Sequence, residues 1–98
     1  MTPVQFLAAA QSEIDEATDY YLEAAPAEAD RLTAEIDRAI GFISENPYLG
    51  SGGRRRVRRY VLPHFPYSII YSVLEDHILV VALAPHRRRP GYWLKRLK

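Results

Sequence analysis

The sequence predicts an α+β fold in the order β-α-α-β-β-β, with an antiparallel sheet backed by an N-terminal helical hairpin. Two observations predict it. Apolar residues recur at steps of three and four through the first half of the chain, and two runs rich in β-branched and aromatic residues lie in the second half. A basic C-terminal tail follows the last strand.

The two helices are predicted by separate apolar stripes, one from Leu7 to Tyr21 and one from Ala29 to Ile43. Pro26 interrupts the pattern, so the first helix should end at Ala25 and the second should begin with the proline. The second helix should stop at Asn46-Pro47, where the asparagine is expected to adopt a left-handed cap. With almost no linker, the two helices should fold back on each other.

The strand predictions start with residues 2–7, a short stretch that suits an edge strand, and continue after a glycine-rich loop over residues 48–53. Residues 54–62 form a basic strand candidate. Residues 67–74 and 78–84 should form a hairpin around a polar turn. Both strands of this hairpin carry apolar residues at odd and even positions, so both sheet faces should be covered. The helices cover one face, and the C-terminal tail or a partner protein covers the other.

The length of 98 residues predicts one domain spanning residues 1–98. The absence of cysteine excludes disulfides, thiolate metal sites and a cysteine nucleophile. No apolar run approaches the roughly 20 residues of a membrane helix, and no signal-peptide pattern opens the chain. We therefore expect a cytoplasmic protein with no membrane association.

The net charge of +1 conceals a strong division between the two halves of the chain. Residues 1–48 hold ten acids and two bases, a net charge of −8, whereas residues 49–98 hold two acids and eleven bases, a net charge of +9. This asymmetry predicts a surface for an anionic partner. The alternative is that the two halves neutralise each other within the fold.

Common enzyme and cofactor signatures are missing. The glycine-rich segment 50–53 has no lysine or hydroxyl of a phosphate-binding loop after it. His64, His77 and His86 do not have metal-ligand spacing, so we expect neither a metal nor a cofactor. The acids of the helices should lie on the solvated face.

Two basic clusters remain, Arg54–Arg56 with Arg58-Arg59, and Arg87–Arg89 with Lys95-Arg96. Arginine binds phosphate or carboxylate through two parallel hydrogen bonds. The second cluster is accompanied by a titratable ring, a phenol and an indole, those of His86, Tyr92 and Trp93. The alternatives are that the first cluster pairs with the acidic helices and that Tyr92 and Trp93 pack the tail onto the sheet.

Several segments resemble the ParE/RelE superfamily of toxins. The most specific are Phe65–Tyr71 (FPYSIIY) and His86–Trp93 (HRRRPGYW). Three further segments also match this superfamily: Tyr20-Tyr21 in an alanine-rich acidic helix, Asn46-Pro47 and the Val57-Arg58-Arg59 strand. Pro85 departs from the aliphatic residue or alanine expected before the histidine. The resemblance implies the toxin of a type II toxin–antitoxin system, neutralised by a cognate antitoxin protein, as a homodimer or a toxin–antitoxin hetero-oligomer.

The superfamily divides into ParE-like poisons of DNA gyrase and RelE-like endonucleases that cut mRNA on the ribosome. Only Lys95 and Lys98 are lysines, and the middle strands carry arginine alone, which favours the ParE branch. The resemblance implies these target-binding residues: Arg58, Arg59, Arg87, Arg88, Arg89, Tyr92, Trp93 and Arg96. In the nuclease alternative, Arg59 and Arg89 would hold phosphate, His86 would shuttle protons, and Tyr92 would position the nucleotide or act as acid. A non-enzymatic module that binds nucleic acid or protein is the third hypothesis.

Overall fold

The computed structural model describes residues 1–52 and 56–97. The segment 53–55, which contains Arg54 and Arg55 of the first basic cluster, and Lys98 lie outside the described residues. The elements in chain order are β1 (Val4–Phe6), α1 (Ala8–Ala24), α2 (Pro26–Glu45), β2 (Ser51–Gly52), β3 (Val57–Val61), β4 (Tyr67–Val73), β5 (Ile78–Pro85) and a 3-10 helix (Leu94–Leu97).

The helix boundaries confirm the role of Pro26. Helix α1 ends at Ala24, Ala25 alone connects the two helices, and Pro26 opens α2. The predicted left-handed cap at Asn46 is wrong, because this residue has a φ of −141° and leaves the helix in an extended direction. Its backbone N–H still donates to the Phe42 carbonyl at 2.9 Å, so the last turn of α2 closes without a left-handed residue.

The sheet has the order β1-β5-β4-β3-β2, which confirms the α+β class, with two differences from the predicted detail. Strand β1 is an edge strand as expected, but it runs parallel to β5, because a strand joined through a helical hairpin need not alternate in direction. The glycine-rich loop contributes the short strand β2, whose Ser51 and Gly52 pair with Arg59 and Arg58 of β3.

A bulge in β5 decides which side chains face each side of the sheet. Ile70 pairs with Ala82 and Tyr71 pairs with Val80, which leaves Val81 as an extra residue. The extra residue reverses the alternation of β5. Ile78 and Val80 therefore face the helices, whereas Val81, Ala82 and Ala84 face the opposite side.

Two hydrophobic clusters lie on the two faces of the sheet. On the helix side, Leu32, Ile36 and Ile43 of α2 share a cluster with Ile69 and Tyr71 of β4. On the other face, which we call the tail side, Val57, Ile70 and the bulge residues are covered by Tyr92, Trp93 and Leu97. The chain therefore covers its second sheet face with its own C-terminal segment, residues 86–97. This confirms one of the two predicted alternatives.

Tyr71 of the FPYSIIY motif fixes the loop that follows α2. Its side chain is fully buried, and its hydroxyl donates to the Pro47 carbonyl at 2.8 Å and accepts from the Gly50 N–H at 2.9 Å. A Cβ at Gly50 would lie 2.7 Å from the Arg59 carbonyl oxygen and 2.9 Å from the Tyr71 hydroxyl. Only glycine allows the loop to approach β3 this closely.

Candidate functional site

The C-terminal segment is fastened to helix α1 by a single carboxylate, that of Glu13. The Tyr92 hydroxyl donates to Glu13 Oε2 at 2.5 Å, and Arg96 donates through both terminal nitrogens at 2.8 and 3.1 Å. A second cation, Arg88, lies 3.7 Å from Glu13 Oε2, the oxygen that accepts from Tyr92. The Glu13 side chain is only 11% exposed, so these bonds form in a partly desolvated place where they are stronger than in water.

Glu13 lies beside the part of the β5 edge that the short strand β1 does not cover. Strand β1 covers β5 as far as Val80, whose carbonyl accepts from the Leu7 N–H at 3.0 Å. Beyond this point, the Leu83 N–H donates to Glu13 Oε1 at 3.1 Å and Arg96 donates to the Val81 carbonyl at 3.0 Å. The pair Glu13–Arg96 therefore satisfies backbone groups that β1 is too short to reach, and it closes an exposed strand edge.

Tyr92 lies between cations and is held in its neutral form. The Arg88 guanidinium carbon is 3.7 Å from the centre of the Tyr92 ring, and that of Arg96 is 5.3 Å away. The pKa of Tyr92 is raised well above its ordinary value, first by burial and then by the hydrogen bond and charge of Glu13. Because its hydroxyl is donated to Glu13, Tyr92 is not placed to give a proton to a substrate.

A second cluster joins three neighbouring strands through Ser68 of β4. Arg59 of β3 donates through Nε to the Ser68 hydroxyl at 3.0 Å. His86, directly after β5, has its Nε2 2.9 Å from the same oxygen. Ser68 is buried, whereas both of its partners are exposed. The serine therefore orients two of the predicted site residues. It was not predicted as a site residue, and the only signal for it is a polar residue within the apolar run of β4.

Arg58 has a different role from Arg59, although the two are adjacent in sequence. Its Nε donates to the Gly50 carbonyl at 2.8 Å and its terminal nitrogen donates to the Tyr48 carbonyl at 3.3 Å. Its guanidinium also lies 5.1 Å from the centre of the Tyr48 ring. Arg58 thus holds the loop between α2 and β2. In the described part of the first basic cluster, no arginine pairs with an acidic helix.

The prediction that the helical acids are all solvated is wrong for Glu13 and Glu35. Glu35 of α2 is buried and accepts from the His64 N–H at 3.1 Å, and its other oxygen lies 2.7 Å from His64 Nδ1. It therefore ties the loop between β3 and β4 to α2. The cations of the second basic cluster that pair with no carboxylate of the described residues are Arg87, Arg89 and Lys95, and all three are exposed.

Arg59, His86 and Arg89 line one small recess of about 80 Å³ on the tail side of the sheet. It opens beside a cleft of about 380 Å³ between β2–β3 and the C-terminal segment. Both are lined by Arg59, Ile70, Pro90, Gly91 and Trp93. The structure therefore brings most of the predicted site residues to one face. Arg96 and the Tyr92 hydroxyl are turned away toward Glu13, and Arg87 lines a separate groove beside α1.

Neither a metal centre nor a membrane span is evident in the part of the chain that the structure describes. Within residues 1–52 and 56–97, no group of three or more His, Asp or Glu side chains is arranged to hold a metal ion. Over the same ranges, no helix has both the length and the apolar character needed to cross a bilayer.

Comparison with known proteins places this geometry in a family. A chain of the "Chromosomal ParDE TA system from P. aeruginosa" superposes with a TM-score of 0.75 at 19% sequence identity, over 87% of this chain and 96% of that chain. No curated protein sequence gives a significant match. A family model described as "ParE toxin of type II toxin-antitoxin system, parDE" matches residues 4–90. The chain therefore belongs to the ParE toxin family of type II toxin–antitoxin systems.

Proposed function

We propose that this protein stops growth by poisoning DNA gyrase and that a cognate antitoxin neutralises it. Membership of the ParE family supports the proposal. The observation that carries it is the C-terminal segment, which is held on the sheet by the contacts of Tyr92 and Arg96 while Arg87 and Arg89 stay exposed and, among the described residues, without a carboxylate partner. A preordered cationic surface binds a macromolecular target at a lower cost in conformational entropy than a mobile tail.

The predicted target-binding residues divide into two groups under this proposal. Arg59, Arg87, Arg89 and Trp93 contact the target, because their side chains lie on the exposed surface or line the cleft. The other four hold that surface in place through the contacts described above: Arg58, Arg88, Tyr92 and Arg96.

Cleavage of mRNA is the less favoured function. It needs a base for the ribose hydroxyl and an acid for the leaving oxygen. The Tyr92 hydroxyl is bound by Glu13, and the raised pKa of this phenol makes it a weak acid. His86 and Arg59 lie close together, but both are bound to Ser68, and arginine is not a base at neutral pH.

The antitoxin should use an apolar surface other than the tail side of the sheet, which the C-terminal segment already covers. A groove of about 390 Å³ runs between α1 and the ends of β4 and β5, lined by Tyr20, Tyr21 and Tyr67 and with Arg87 at its rim. Tyr20 is 63% exposed, so its ring is accessible to a partner that enters the groove. We place an apolar antitoxin segment here, with a carboxylate paired to Arg87.

Induced expression in a bacterial host tests the function. We expect growth to stop, a reporter plasmid to lose negative supercoiling, and bulk mRNA to stay intact. Co-expression of the antitoxin from the adjacent reading frame should restore growth. A supercoiled plasmid together with fragmented mRNA would overturn the gyrase proposal in favour of RNA cleavage. Normal growth at high expression would overturn both.

A further inference from the structure

The cleft on the tail side of the sheet has one apolar part and one cationic part. The whole cleft has a volume of about 380 Å³, and its apolar part is lined by Val57, Ile70, Trp93 and Leu94. Volumes of this size are typical of sites for small ligands. The adjoining recess adds His86 and two cationic side chains, Arg88 and Arg89, near Arg59, and no acidic residue lines either space within the described residues.

The buried Ser68 hydroxyl orients two of the side chains that line the recess. It accepts from Arg59 only through Nε, at 3.0 Å, so the two terminal nitrogens of this guanidinium remain to bind a ligand. It also fixes His86 through Nε2, at 2.9 Å. Ser68 itself is 1% exposed, so it orients the side chains of Arg59 and His86 and does not contact a ligand.

From this arrangement we infer that the cleft binds a nucleotide unit of a single-stranded nucleic acid. The phosphate lies against Arg59 and Arg89, and the base lies in the apolar part beside Trp93. Paired arginines alone would also suit a carboxylate. An indole next to Ile70 in a cleft of nucleotide size favours a ligand that carries both an anion and an aromatic ring. The inference depends on the proposed function in one respect: it takes the single-stranded nucleic acid to be part of the DNA held by gyrase.

Fluorescence anisotropy of a short labelled thymidine oligodeoxynucleotide, titrated with the full chain at low salt, tests the inference. We expect the variant Arg59→Gln to bind at least about tenfold more weakly, since it loses charged hydrogen bonds to phosphate. Arg38→Gln is the matched control, because it removes the same charge from the exposed surface of α2, on the opposite side of the sheet. Its affinity should stay within about twofold of the wild type.

Three further measurements distinguish a specific site from general electrostatic attraction. Ser68→Ala changes no charge, so a several-fold loss of affinity in a variant with unchanged circular dichroism supports positioning by the serine. The affinity should also fall with salt at a log–log slope of about −0.7, the value for the one phosphate that the inference places against Arg59 and Arg89, whereas general attraction along the strand would give a steeper slope. The emission of Trp93 should change on binding, because the inference places the base beside its indole. The signal can be assigned to this residue because Trp93 is the single tryptophan.

Competition with the labelled oligodeoxynucleotide identifies the chemical class of the ligand. An RNA oligomer of the same sequence, thymidine monophosphate, inorganic phosphate and polyglutamate are tested in turn. Competition by the oligomers and, more weakly, by the mononucleotide supports the inference. Equal loss in Arg59→Gln and Arg38→Gln, competition by polyglutamate as strong as by the oligomers, or no binding at all would overturn it. Gyrase inhibition by a protein that binds no oligonucleotide would overturn this inference and leave the proposed function standing.

Discussion

Replacing Glu13 by glutamine should release the C-terminal segment from the sheet. The carboxylate accepts three side-chain hydrogen bonds, one from Tyr92 and two from Arg96, in addition to the Leu83 N–H. Glutamine keeps the shape but presents an amide NH₂ to donors and leaves Arg96, which is 18% exposed, without its counter-charge. Breaking a buried ion pair costs about 3–5 kcal/mol, and since this pair is not fully buried we expect about 3 kcal/mol.

Urea unfolding followed by two signals measures this effect. Circular dichroism reports the whole fold, and the emission of Trp93, the single tryptophan, reports the C-terminal segment. A loss of about 3 kcal/mol should lower the Tm by roughly 12 °C or more in a domain of this size. Trp93 emission should shift to longer wavelength before the circular dichroism changes, because the segment detaches first.

Glu16→Gln is the matched control, since Glu16 lies on the same helix and is exposed. It should change the free energy of unfolding by less than about 0.5 kcal/mol. A double-mutant cycle between Glu13→Gln and Arg96→Gln should give a coupling of at least about 1 kcal/mol. If Glu13→Gln behaves like Glu16→Gln in both signals, the carboxylate does not hold the segment and the reasoning is refuted.

Three further predictions concern the loop after α2 and the phenol of Tyr92. Gly50→Ala should destabilise the fold by about 1–3 kcal/mol, because its Cβ would meet the Arg59 carbonyl at 2.7 Å. Gly41→Ala, in the C-terminal half of α2 and with nothing within 4 Å of the added Cβ, should stabilise it by up to about 1 kcal/mol, and urea unfolding measures both. Tyr71→Phe should cost about 2 kcal/mol by the same measurement, because the Gly50 N–H and the Pro47 carbonyl lose their partner; an unchanged unfolding midpoint would contradict this. The pKa of Tyr92 is raised on folding, so the stability that its neutral phenol contributes is complete below about pH 10 and is lost as the pH rises through the folded-state pKa. Unfolding midpoints measured between about pH 9 and pH 11 should therefore decline less steeply for Tyr92→Phe than for the wild type. Part of the decline should remain in that variant, because burial also raises the pKa of Tyr67.

The elements could be predicted because their signals are local. The apolar stripes, the break at Pro26 and the hairpin around residues 75–77 all depend on neighbours within one turn or one strand. The parallel direction of β1 could not be predicted, since no tight turn joins it to its partner. The bulge at Val81 could not be predicted for another reason. Because β5 is apolar at almost every position, its sequence does not show at which residue the side chains change sheet face.

The candidate site could be predicted in composition but not in arrangement. The two arginine clusters and the aromatic residues of HRRRPGYW predict a target-binding surface, and their contact with a target stays a prediction. The roles within that set depend on partners far away in sequence. Glu13 meets Arg96 across 83 positions, and Arg59 meets His86 only through Ser68. A charged residue on a helix gives no sign in the sequence of whether it faces solvent or closes a strand edge.

Accumulation of cleaved plasmid DNA, measured as purified gyrase is titrated with the protein, tests the gyrase proposal most directly. We expect cleaved DNA to rise and supercoiling to fall with the wild type. Both effects should weaken by at least tenfold in the double variant Arg87→Gln/Arg89→Gln, since each arginine gives charged contacts to the target. The variant Arg31→Gln/Arg38→Gln removes the same charge from α2 and should act like the wild type. Gyrase that stays fully active at a large excess of wild-type protein, or equal weakening in both double variants, would contradict the proposed function.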